Sequence, residues 1–128
     1  MGSSLGGFDA AVLARRLRCL AVLVNPAVHP ARDLARHLGI PTSWHDAAQT
    51  FFERRFIDEL QTIGSGQITA PAHTLTLTLI AQGDKVLDGR EMAAFCTGAR
   101  VRLLQGSNHA LSDFDAHLPA ILDFLRLA

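Results

Sequence analysis

Three side chains in this sequence can together perform acyl transfer: the hydroxyl of Ser4, the carboxylate of Asp84 and the imidazole of His109. A serine hydroxyl is too weakly acidic to attack a carbonyl unaided. An imidazole within hydrogen-bond reach must take its proton, and a carboxylate must orient that imidazole. Ser4 lies in Gly2-Ser3-Ser4-Leu5-Gly6, with glycine two residues away on each side and an amphipathic segment directly after it. This is the sequence form of a strand-to-helix elbow, where a pinched backbone makes the hydroxyl project and small residues let strand and helix pass closely. Gly2 and Gly6 are expected to allow that approach. The N–H of Leu5, the residue after the nucleophile, is the expected oxyanion donor.

Each piece also has an ordinary reading. Gly/Ser clusters are common loop and helix-start material, and Met1-Gly2-Ser3-Ser4 also looks like the opening of an expression tag. A glycine-rich helix start can cradle a phosphate, but G-x-G-x-x-G and a P-loop lysine are both missing, which ranks that option last. Asp84 in Gly83-Asp84-Lys85 can be a turn residue, and His109 beside Asn108 a loop histidine. Asp88 is a lesser candidate for the acid, since it shares the loop of Asp84, although it can simply cap the next helix. His29, His37, His45, His73 and His117 show no H-E-x-x-H or similar spacing and are read as surface or core residues, not as metal ligands.

What favours the chemical reading is placement. Apolar residues at helical spacing predict a helix over residues 5–17, and the apolar run at 19–24 reads as a strand buried on both faces. A short helix over 31–38 is closed by Gly39, and an aromatic-rich helical insertion is expected between 42 and 66, able to cover an acyl chain with Trp44 to Phe56. The alternating run at 73–81 predicts a strand with threonine on one side, followed by a helix at 89–96 and a strand at 100–104. Ser112 or Asp113 can cap a turn of helix, and Pro119 suits the first position of a last helix ending near Leu127. With no hairpin signal between strands, this order implies right-handed crossovers and a parallel, doubly wound α/β sheet. Ligands bind at the carboxyl ends of such strands, where the loops from Asn25, Gln82 and Gln105 converge with the elbow. Ser4, Asp84 and His109 then stand in the Ser, Asp, His chain order of α/β-hydrolases.

Composition narrows the alternatives. With 128 residues, 48% of them hydrophobic and 19% charged, the chain suits one globular domain. Its net charge is zero and its basic residues are scattered, so neither nucleic acid nor an anionic membrane is an expected partner. Cys19 and Cys96 are far apart and outside any C-x-x-C, which fits two reduced, buried thiols and a cytoplasmic setting. Neither a signal peptide nor a run long enough to span a bilayer is visible.

The segments Gly-Ser-Ser-Leu-Gly-Gly (2–7), Val-Asn-Pro-Ala-Val-His-Pro (24–30), Gly-Asp-Lys-Val-Leu-Asp (83–88) and Gly-Ser-Asn-His-Ala (106–110), in this order, closely resemble the YqiA-like esterases. These are small bacterial α/β-hydrolases, and the resemblance runs from Gly2 to the last helix. It implies Ser4 as nucleophile, Asp84 as acid and His109 as base. It also implies hydrolysis of a small-molecule carboxylic ester or acyl thioester through an acyl-serine intermediate, with no metal or organic cofactor. Family members carry further strands and a His-Gly-Phe type loop ahead of the elbow, and the loop gives a second oxyanion donor. Those elements have no counterpart in residues 1–128. The expectation is thus the C-terminal portion of a single α/β-hydrolase domain, about three parallel strands flanked by helices with the N-terminal strands missing. A true start upstream of Met1 is favoured over a truncated gene product. Loss of one oxyanion donor typically costs about 100- to 1,000-fold in rate, so this chain is expected to be a poor enzyme. A non-catalytic remnant that self-associates through an exposed sheet edge is the competing expectation.

Overall fold

The computed structural model describes residues 1–39, 41–42, 50–51, 53–65 and 75–127. The elements in chain order are β1 (Gly2–Ser3), α1 (Leu5–Leu17), β2 (Ala21–Val24), α2 (Pro30–Ala35), β3 (Pro41–Thr42), β4 (Thr50–Phe51), α3 (Arg54–Ser65), β5 (Thr76–Ala81), α4 (Gly89–Phe95), β6 (Arg100–Leu104) and α5 (Phe114–Leu125). The chain forms two compact units, one of residues 1–28 with 69–128 and one of residues 29–68.

The first unit holds a four-stranded sheet in the order β1-β2-β5-β6, every pair parallel. Four strands are described in it against the about three expected, because Gly2 and Ser3 pair with Leu23 and Val24 and supply a strand directly ahead of the elbow. The register places Val22 beside Leu77 and Leu23 beside Thr78, so alternate residues of β2 and β5 line opposite faces together. On one face Val22, Val24, Leu77 and Leu79 join Leu104, Leu111 and the α5 residues Ile121 and Phe124 in a buried cluster. On the other, Ala21 and Leu23 pack against Ala11 and Ala14 of α1. The inner strands β2 and β5 are therefore buried on both faces, which is why β2 reads as a continuous apolar run. The same coverage buries Thr76 and Thr78 of β5, at 2% and 0% exposure, and the Thr78 hydroxyl is satisfied by the Cys96 sulfur at 3.6 Å.

Two expectations change in this unit. Cys96 is buried but Cys19 is exposed, since β2 starts two residues after it, so the pair of buried thiols reduces to one. Burial pushes the Cys96 thiol up from its ordinary value, against a smaller opposing effect of the Thr78 hydrogen bond. Pro119 lies inside α5 and not at its start. Proline removes the hydrogen bond to the Asp115 carbonyl. Both residues are exposed, so water can serve that carbonyl, while Ile121 and Phe124 keep the inner face packed.

In the second unit, α2 begins with Pro30 at its first turn, and a turn over residues 36–39 reaches Gly39 at φ +72°. The helix lies against α3. Helix α3 supplies the helical part of the expected insertion, but Pro41–Thr42 and Thr50–Phe51 form a small antiparallel pair that was not anticipated. Trp44, Phe52, His45 and His73 lie outside the described residues, as does the start of the expected 73–81 strand.

Candidate active site

The carboxyl edge of the parallel sheet collects the residues that follow β1, β2, β5 and β6. After β1 the chain turns at Ser4, whose φ of +53° and ψ of −120° lie in a region L-residues rarely adopt. The turn is held on both sides. Ser4 N–H donates to the Val24 carbonyl at 3.0 Å, and the Ser4 carbonyl accepts from Gly7 N–H at 3.0 Å and Ala27 N–H at 2.9 Å. A Cβ on Gly2 would collide with the Gly6 carbonyl, and one on Gly7 would come within 2.9 Å of Pro26. Nothing lies within 4 Å of a Cβ placed on Gly6. The close approach expected of Gly2 and Gly6 is thus made by Gly2 and Gly7. Leu5 is the first residue of α1, where a helix offers its N–H no internal acceptor.

After β5, the side chain of Asp84 is 1% exposed, and its Oδ2 lies 2.7 Å from Nδ1 of His109, which is 26% exposed. The other carboxylate oxygen, Oδ1, accepts from the N–H groups of Val86 at 2.7 Å and Leu87 at 3.0 Å. These bonds orient the carboxylate. A carboxylate can only accept, so Nδ1 carries the proton and Nε2 of a neutral His109 presents its lone pair. Asp88, the lesser candidate for the acid, instead caps α4 by accepting from Arg90 N–H at 2.8 Å. Among the described residues the structure joins Asp84 directly to His109, while no hydrogen bond links the Ser4 hydroxyl to either.

The loop after β6 is braced from three directions. The Ser107 carbonyl accepts from Gly83 N–H at 3.1 Å, and a Cβ on Gly83 would strike that same carbonyl. The buried Ser107 hydroxyl donates to Asp113 Oδ2 at 2.6 Å, and His117 Nε2 sits 3.2 Å from the same oxygen. The third brace is Asn25, which an Asn-Pro pair in the sequence suggests is only a chain break. Its side chain is fully buried. Nδ2 donates to the carbonyls of Asn108 at 3.1 Å and His109 at 3.0 Å, and Oδ1 accepts from Ala81 N–H at 2.7 Å. A polar residue closing a strand buried on both faces must find partners, and that requirement was the available signal for Asn25. Among the described residues no three His, Cys, Asp or Glu side chains cluster as a metal site would need, and no helix is long and apolar enough to cross a membrane.

Several solved structures share this architecture. A protein of Agrobacterium vitis S4 described as a candidate hydrolase superposes with a TM-score of 0.70 at 18% identity, over 97% of this chain and 59% of its own. The esterase domain of a Rhodothermus marinus protein gives 0.62 at 20% identity, over 98% and 57%. An alpha/beta superfamily hydrolase of Oenococcus oeni PSU-1 gives 0.61 at 17% identity, over 98% and 66%. The chain thus spans less than two thirds of the length of these proteins, and over that span it has the α/β-hydrolase fold. The model of an uncharacterised protein family, UPF0227, matches residues 1–126. With the resemblance carried by the segments at 2–7, 24–30, 83–88 and 106–110, the conclusion is that this chain belongs to UPF0227, the YqiA-like esterase family.

Proposed function

We propose that this chain carries the nucleophile, acid and base of a serine esterase, acting on small carboxylic esters or acyl thioesters. The observation that supports it most is the 2.7 Å contact between the buried Asp84 carboxylate and His109 Nδ1, on the same sheet edge as the strained turn at Ser4. In this mechanism Ser4 Oγ attacks the acyl carbon as its proton passes to His109 Nε2. The imidazolium that forms is stabilised through Nδ1–H by Asp84. Negative charge on the former carbonyl oxygen is met by the Leu5 N–H. Collapse breaks the bond to the alcohol or thiol leaving group, which takes the proton from Nε2. Water then attacks acyl-Ser4, gives its proton to His109, and the acid departs as Ser4 recovers its proton. The solved relatives include the esterase domain from Rhodothermus marinus, which fits the same reaction class.

The test is hydrolysis of p-nitrophenyl acetate by the chain and by its Ser4→Ala and His109→Ala variants. Loss of at least about 100-fold in kcat/KM in both is expected, and unchanged turnover in both would remove the triad. A second reading, a non-catalytic self-associating chain, is favoured by the position of β1 at the end of the strand order with one edge unpaired among the described residues. It predicts a sedimenting oligomer and turnover no different from that of the Ser4→Ala variant.

A further inference from the structure

We propose that Asn25 is a positioning residue for His109: its buried amide ties the loop that carries the imidazole back to the end of β2, one strand away from Ser4. The proposal rests on the reading of His109 as the base. Strand order creates the problem that Asn25 solves. Ser4 follows β1 and His109 follows β6, with β2 and β5 between them. Three inter-strand spacings amount to roughly 14 Å, far beyond hydrogen-bond reach. The loop after β6 must therefore lean back across the top of β5, and something must hold it there.

Asn25 is built for that task. Its backbone leaves β2 at φ +42°, and its N–H donates to the Leu79 carbonyl at 2.9 Å. Asparagine is among the few non-glycine residues that tolerate this region. The side chain then uses both ends of its amide. Oδ1 takes the Ala81 N–H at the end of β5, and Nδ2 gives its two protons to the carbonyls of Asn108 and His109. The partners fix the amide orientation, since the Ala81 N–H can only donate and the two carbonyls can only accept. Bonds to two successive carbonyls hold the peptide plane between Asn108 and His109 as well as the one after it. With both planes held, the direction of the His109 Cα–Cβ bond is held too. Asp84 then sets the rotation of the ring through Nδ1. Position comes from Asn25 and orientation from Asp84.

Two substitutions separate this role from general support. Asn25→Asp keeps an oxygen for the Ala81 N–H but has no proton for the loop carbonyls. Asn25→Gly removes the side chain while keeping the φ +42° turn free of steric strain. The first readout needs no turnover: hydrogen exchange of the His109 Nδ1–H in protein labelled with 15N-histidine, assigned through His109→Ala. Exchange at least about 10-fold faster than wild type is expected in both Asn25 variants. The second readout is the rate of fluorophosphonate modification together with p-nitrophenyl acetate kinetics. Modification is expected to slow by about 100-fold, the usual result of misplacing a reacting group by about 1 Å, with kcat falling and KM little changed. Folded variants with wild-type Nδ1–H exchange and wild-type modification rates would overturn the proposal. A wild-type chain with a protected Nδ1–H and no fluorophosphonate reactivity would instead overturn the reading of His109 as base, leaving exchange alone to decide what Asn25 holds.

Discussion

Around Ser4 the close packing that makes an elbow lies where Gly2 meets the Gly6 carbonyl and where Gly7 meets Pro26. A Cβ on Gly2 would enter the Gly6 carbonyl, and relief requires parting β1 from α1. A Cβ on Gly6 would meet nothing within 4 Å, and there alanine only gains helix propensity. Gly2→Ala is therefore expected to lower stability in urea unfolding by about 1–3 kcal/mol, and Gly6→Ala to leave it unchanged or raise it by about 0.5–1 kcal/mol. Equal effects would show that the approach of Gly2 to Gly6 is not a constraint. The glycine spacing signals an elbow but cannot say which glycines are crowded, since that depends on how β1 meets the start of α1 at Gly2 and on Pro26 in the following loop at Gly7. Asn25 was hidden for a related reason. Beside Pro26 it reads as a break, and its partners at Ala81, Asn108 and His109 are 56, 83 and 84 residues away.

At the scale of elements, the loop after β6 is joined to α5 through Asp113. The Ser107 hydroxyl, above all, holds the Asp113 carboxyl below the ordinary aspartate value, against desolvation, and His117 adds to the effect. A carboxylate whose folded value is lowered adds stability above its unfolded value and loses that stability as pH falls through the folded value. Asp113→Asn is expected to remove that acid-side loss, so its stability relative to wild type improves as pH drops below the ordinary aspartate range. Urea midpoints measured for both proteins from pH 7 down to acid conditions check this, and parallel curves would contradict it. The elements themselves were legible to different degrees. Residues 5–17 form α1 as their periodicity indicates, and the apolar run before Asn25 forms β2. Helix α5 starts at Phe114, five residues before the proline expected to open it, because packing of Ile121 and Phe124 against β2 and β5 outweighs one lost backbone hydrogen bond. The β3–β4 pair has only two residues per strand, too short for any alternation to register.

For the molecule as a whole, parallel topology brings Ser4, Asp84 and His109, 105 residues apart at their extremes, to one edge of one sheet. The order helix, strand, helix, strand was enough to anticipate that edge, since each crossover between parallel strands returns the chain to it. What sequence order cannot express is the reach from β6 back toward β1, which depends on side-chain hydrogen bonds between distant loops. A Ser4 nucleophile activated by His109, as proposed, can be captured covalently. The folded chain, incubated with a fluorophosphonate and mapped by peptide mass spectrometry, should carry one adduct on Ser4, missing in Ser4→Ala and at least about 100-fold slower to form in His109→Ala. A folded chain that remains unmodified, or that carries the adduct on another residue, would rule out Ser4 as the nucleophile.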